Sequence, residues 1–202
     1  MVEFIANIEN FDNVESLKIL LKLAYKTGFK YAKLNSNICN NLFVKEDYDN
    51  IFLYAQKLGI ILYSICYDYN SIDLFCNYTN MCQIPSEKND DINFIKYVKN
   101  KFKHLILELD HCDFDLINNL YYKYGLYMVM YKIKNNINIS ELNKIKYNLG
   151  NLNIGYYDDN AELTNTIVVV SHGINYIEKN IDLYNCLDKN YIDINKYVSS
   201  LI

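Results

Sequence analysis

Residues 2–35 read VEFIANIENFDNVESLKILLKLAYKTGFKYAKLN. Two periodicities alternate in that stretch. Val2–Ile8 is a short apolar run of strand type, and Tyr31–Asn35 is another. Between them, Asn13–Thr27 has helical spacing: Leu17, Leu20, Leu21 and Ala24 share one face, and Lys18, Lys22 and Lys26 another. Gly28 follows as a stop signal. Strand, helix, strand in this order predicts a parallel pair, because parallel strands need a long crossover and a helix supplies it.

The same alternation continues along the chain. Further strand-like runs are Ile60–Cys66, Met81–Ser86, His104–Asp110, Leu126–Lys132, Leu152–Tyr157 and Ile174–Ile181. Helix-like stretches are Lys45–Leu58, Ser71–Asn77, Asp91–Phe102, Asp113–Tyr124, Ile139–Leu149, Glu162–Val170 and a last one at Ile194–Leu201, with Gly59 and Gly125 closing two of them. Eight strands alternating with helices predict an α/β fold, a compact (β/α)8 TIM-type barrel, in one domain spanning residues 1–202. An open doubly wound sheet would want a Gly-rich first turn, and Glu9-Asn10-Phe11-Asp12 has no glycine.

Composition narrows the chemistry. The formal charge is −4, which argues against nucleic acid as a partner. No apolar run approaches the roughly 18 residues of a membrane span, so no membrane partner is expected. The chain has no Arg and no Trp, one Pro (Pro85) and about thirty Asn. Without a guanidinium, an anion site must rely on Lys, hydroxyls or backbone N–H groups. Six cysteines show no CxxC and no zinc-ligand spacing, and the N-terminus does not read as a signal peptide. They are expected as free thiols of a cytoplasmic protein.

A barrel carries its chemistry at the C-terminal ends of its strands. Those ends bring Asn7 and Glu9, Lys33 and Asn35, Tyr67 and Asp68, Ser86, Glu108 and Asp110, Asp158 and Asp159, and Glu178 and Asn180. A lysine inside a barrel is costly unless paired, so Lys33 is expected to meet a carboxylate in the mouth. His104 opens a strand and His172 precedes a glycine; both read as structural.

The strand ends also carry a resemblance. IANIENFD (5–12) and YAKLN (31–35) stand where the sialic acid synthase family has IAEIGxNHxG and AVKFQ. GIILYSICYDYNSID (59–73), QIPSEK (83–88) and KHLILELD (103–110) stand for GIxFxSTPFDxxSxD, KIxSGE and KPxILSTG. GYYDDN (155–160), IEKNIDL (177–183) and LDKN (187–190) stand for GYSDHT and IEKHFTLDKN. The chain thus resembles the barrel domain of the family that includes the legionaminic and pseudaminic acid synthases.

The resemblance implies condensation of phosphoenolpyruvate with an N-acylhexosamine, assisted by a divalent metal, typically manganese. It implies a substrate-binding set of Lys33, Asn35, Ser86, Asp68, Asp158 and Glu178. The family's two metal histidines are replaced by Asp159 and Asn180, whose oxygens would suit weakly held Mn²⁺ or Mg²⁺. Other replacements are Asn7 for the glutamate of AEIG, Gln83 for the lysine of KIxSGE, Ile65 for a threonine, Tyr157 for a serine and Glu108 for the serine of ILSTG. The last puts an anion where the family binds one. The reading expects no C-terminal module of the kind that supplies an arginine in the family. Two functions follow: a synthase of reduced or altered activity acting on a sugar and a phosphoenolpyruvate-like molecule, or a non-catalytic paralogue that binds a sugar or a partner subunit. A homo- or hetero-oligomer is left open.

Overall fold

The computed structural model describes residues 2–111, 113–132, 139–150, 152–158 and 163–181. Eight parallel strands close into a barrel in sequence order: β1 (Glu3–Ile8), β2 (Tyr31–Asn35), β3 (Ile61–Ile65), β4 (Met81–Ile84), β5 (His104–Leu109), β6 (Met128–Tyr131), β7 (Asn153–Asp158) and β8 (Tyr176–Ile181). β8 pairs with β1 along its whole length, which completes the closure.

The helices among the described residues are α1 (Val14–Lys26), α2 (Ser36–Leu42), α3 (Lys45–Leu58), α4 (Tyr69–Phe75), α5 (Ile92–Lys101), α6 (Phe114–Tyr124), α7 (Ile139–Asn148) and α8 (Leu163–Ser171). Most starts are written in the sequence. Asn13 accepts from the Ser16 N–H at 2.9 Å while Ser16 Oγ accepts from the Asn13 N–H at 3.1 Å, a reciprocal cap. Asn35, Asp68, Asp91 and Asp113 cap α2, α4, α5 and α6 in the same acceptor role. Gly59 ends α3 at φ 77°, the left-handed conformation that glycine adopts without steric cost.

Two elements differ from expectation. α2 has three Asn among seven residues and too little apolar periodicity to announce a helix; the Asn35 cap and the buried Ser36 and Cys39 hold it. Strand four stops at Ile84, because Pro85 has no N–H for the ladder, and Ser86–Lys88 turns into a short 3₁₀ helix. The helix expected at Ile194–Leu201 lies outside the described residues.

The strand register stacks the inward side chains in rings of four from alternate strands, rising through the barrel. The lowest complete apolar ring is Tyr31, Met81, Met128 and Tyr176. Above it lie Ile5, Tyr63, Ile106 and Gly155, then Lys33, Gln83, Met130 and Glu178, and then Asn7, Ile65, Glu108 and Tyr157. Asn35, Pro85, Lys132 and Asn180 form the rim. The lower rings are one apolar cluster, separate from the larger core between barrel and helices. Polarity therefore begins at the third ring, which is the floor of the mouth.

Gly155 makes room for Met130. A Cβ there would lie 2.5 Å from Met130 Cε and 2.9 Å from its Sδ. Gly155→Ala is expected to cost no more than about 1 kcal/mol, because the atoms it would meet are the far end of the flexible Met130 side chain, which can turn aside. Urea denaturation checks this. A loss of about 3 kcal/mol would mean that Met130 is locked in place.

Candidate functional site

The floor ring is built around an ion pair. Lys33 Nζ on β2 meets Glu178 Oε1 on β8, and both side chains are buried, as the sequence led one to expect for a lysine inside the barrel. Burial raises the Glu178 carboxyl above its ordinary range, Lys33 pulls it back, and nearby Glu108 raises it further. Gln83, the third polar member of the ring, donates from Nε2 to Glu108 Oε2 at 2.8 Å.

Glu108 is the centre of the next level. Besides Gln83, its Oε1 lies 3.8 Å from Lys132 Nζ on the rim, and its backbone carbonyl accepts from Asn89 Nδ2 at 2.8 Å. Lys33 and Lys132 sit 5.8 and 5.7 Å from the centroid of the Tyr157 ring. Asn7 Nδ2 donates to Glu9 Oε1 at 2.8 Å and to Asn180 Oδ1 at 2.6 Å, and Tyr157 OH donates to the same Asn180 oxygen at 3.0 Å. Tyr67, just past β3, is pushed up to about 12 by burial and by the charges of Glu108 and Glu87.

The residues singled out from sequence divide into groups. Lys33, Glu178 and Asn180 meet in the mouth. Asn35 is on the rim and accepts from the Asn37 N–H at 3.0 Å. Ser86 stands on the outer lip and donates to Asp110 Oδ2 at 2.6 Å. Asp68 accepts from the Ser71 N–H at 2.7 Å, the work of a helix cap. Asp158 faces the helices rather than the mouth: Lys179 Nζ lies 2.6 Å from its Oδ2, and Thr166 on α8 donates to the same oxygen. Asp159 lies outside the described residues. Lys132 was not singled out, although it stands two residues past Met130 on the inward side. Alternation along β6 was the signal for it.

Of the two ligands expected for a divalent metal, Asp159 lies outside the described residues and Asn180 is already engaged. The Asn180 oxygen expected to ligate it already accepts two hydrogen bonds, from Asn7 and Tyr157. Among the described residues, no three His, Cys, Asp or Glu side chains gather to hold an ion. The thiols are free at Cys39, Cys66, Cys76 and Cys82, and burial pushes the Cys39 thiol up to about 12. His104 packs edge-on against Tyr127 at 4.8 Å between centroids, and His172 Nδ1 lies 2.9 Å from the Val168 carbonyl, both structural placements.

Known proteins share this architecture. The N-acetylneuraminic acid (sialic acid) synthetase of Leptospira borgpetersenii serovar Hardjo-bovis, solved with citrate, superposes with a TM-score of 0.80 at 15% identity, covering 98% of this chain and 81% of that one. The spore coat polysaccharide biosynthesis protein spsE of Bacillus subtilis gives 0.79 at 15% identity, covering 99% and 69%. The DAHP synthase of Thermotoga maritima gives 0.74 at 12% identity, covering 99% and 69%. At such identities these likenesses establish the fold. No curated protein matches the chain by sequence. Residues 22–119, from within α1 to within α6, match the NeuB family. That match, seated on this barrel, relates the chain by similarity to the NeuB family, in line with the sialic acid synthase family that its motifs resemble.

Proposed function

We propose that this chain is a sugar-binding barrel of the sialic acid synthase type in which condensation with phosphoenolpyruvate is lost or greatly slowed. The family supports a place in sugar-acid biosynthesis. The observation that carries the reading is the Glu108 carboxylate inside the mouth, bound by Gln83 and faced by Lys132.

Phosphoenolpyruvate brings a carboxylate and a phosphate and needs donors for both. Here the donors at the family's anion positions are already engaged: Lys33 by Glu178, Gln83 by Glu108 and Ser86 by Asp110. A second carboxylate about 4 Å from Glu108 would meet a repulsion of about 4 kcal/mol at an effective dielectric constant of 20. The N-termini of α1, α2, α4, α5 and α6, a common kind of anion-binding N–H source, are capped by Asn13, Asn35, Asp68, Asp91 and Asp113. The buried free thiols suit a reducing cytoplasm, and no helix of the described residues is long and apolar enough to cross a membrane. Residues 1–202 are taken as one barrel domain.

Purified protein given Mn²⁺, phosphoenolpyruvate and N-acetylmannosamine should release little or no phosphate. Turnover on the order of 1 s⁻¹, ordinary for an enzyme, would overturn the reading. Calorimetric titration with the sugar alone should show binding to the wild type.

A further inference from the structure

Among the described residues, the mouth holds more carboxylates than lysines. Its described carboxylates are Glu9, Glu108, Glu178 and Asp110, and its described lysines are Lys33 and Lys132. Lys33 is held by Glu178, and Lys132 faces Glu108. Glu9 and Asp110 have neutral donors, Asn7 and Ser86. On the floor, Glu178 Oε2 and Gln83 Oε1 have no hydrogen-bond partner, though the two side chains are 1% and 0% exposed. The Gln83 amide cannot turn to relieve this, because its nitrogen already serves Glu108. Tyr63 OH, in the ring below, is also without a partner, but a phenol both donates and accepts, so it adds nothing to the acceptor surplus. Buried acceptors left without a donor are costly, and they mark a place where a ligand group is missing.

We propose that the mouth selects a protonated amine, so that its ligand is an amino sugar with a free ammonium group rather than an N-acylated sugar. This rests on the reading of the mouth as a sugar site. An ammonium offers three N–H donors and a positive charge, against surplus acceptors and surplus carboxylates. An acylated nitrogen offers a single N–H, loses the charge and adds a carbonyl acceptor to a site that has too many. The aromatic surface agrees: both mouth lysines already lie against the Tyr157 ring, whose face favours cations. Entry of the ammonium would let Lys33 turn from Glu178 toward Tyr157 and open the floor oxygens to the new donor.

The test is a calorimetric titration of the full chain with mannosamine, N-acetylmannosamine and phosphoenolpyruvate, at a pH where the amine is protonated and at fixed ionic strength. Mannosamine is expected to bind about tenfold or more tightly than N-acetylmannosamine, with phosphoenolpyruvate weakest. Glu108→Gln should remove most of that preference. The wild-type comparison stands even if the variant folds poorly. Equal or tighter binding of N-acetylmannosamine would overturn the amine preference while leaving the sugar site intact, and would mean that water serves the floor oxygens. Binding of neither sugar would overturn both readings.

Discussion

Glu108→Ser should convert a mouth that refuses phosphoenolpyruvate into one that binds it. The substitution removes the carboxylate that Gln83 and Lys132 hold and supplies the hydroxyl that the family's ILSTG motif has at this place. Three changes point the same way. A repulsive charge disappears, the Gln83 amide is released as a neutral donor, and Lys132 is left free to meet an incoming anion. Like-charge repulsion near 4 Å lies between about 1 and 4 kcal/mol across the dielectric range of water to protein surface. A midway value corresponds to an affinity gain on the order of a hundredfold. Titration of both proteins with phosphoenolpyruvate, followed by calorimetry, measures this. Equal affinities would show that Glu108 is not what excludes the anion. Turnover is not expected from this change alone, since Asn7 still stands for a glutamate and Gln83 for a lysine.

Lys33→Met should cost about 3–5 kcal/mol of stability at neutral pH, because it leaves the Glu178 carboxylate buried without its cation. The sign of the pH dependence follows from Glu178. In the folded protein its carboxyl sits above the ordinary value of 4.5, mainly through burial. Its contribution to stability is therefore fully present below the ordinary value and is lost as pH rises through the folded value. Removing Lys33 takes away the influence that pulls the carboxyl down, so the window of loss widens upward. The deficit of Lys33→Met should be small near pH 4 and full at pH 8. The double variant Lys33→Met/Glu178→Leu should recover much of it. Urea unfolding at several pH values tests all three statements. A single variant as stable as the wild type at pH 8 would remove the buried pair from the account.

The barrel was legible because each unit repeats one physical pattern, and strand edges fell within about two residues of the reading. Asn-rich α2 was not, since its helix rests on a cap and two buried residues rather than on a periodic face. The site was legible in part. A lysine on an inward strand position demands a counter-charge, and that logic reached Lys33 without structure. Asp158 shows the limit of reading strand ends. Nearness to an end does not fix the face, and with Gly155 and Tyr157 turned inward, alternation sends Asp158 to the helices and to Lys179. Asn180 shows another. Whether an oxygen is free for a metal depends on donors from β1 and β7, which sequence spacing does not bring together.

Barrel interiors are commonly filled by branched side chains. This one has Met81, Met128 and Met130 inside, and Met130 lies over Gly155. An unbranched thioether with three rotatable bonds can re-pack around a changed neighbour where valine or isoleucine would transmit the strain to the strands. The methionines therefore act as a deformable plug beneath the mouth. They give the upper rings latitude to exchange hydroxyls and lysines for amides and carboxylates while the sheet below stays closed. Mutational tolerance of the mouth, in this view, is a mechanical property of the sulfur-rich layer under it.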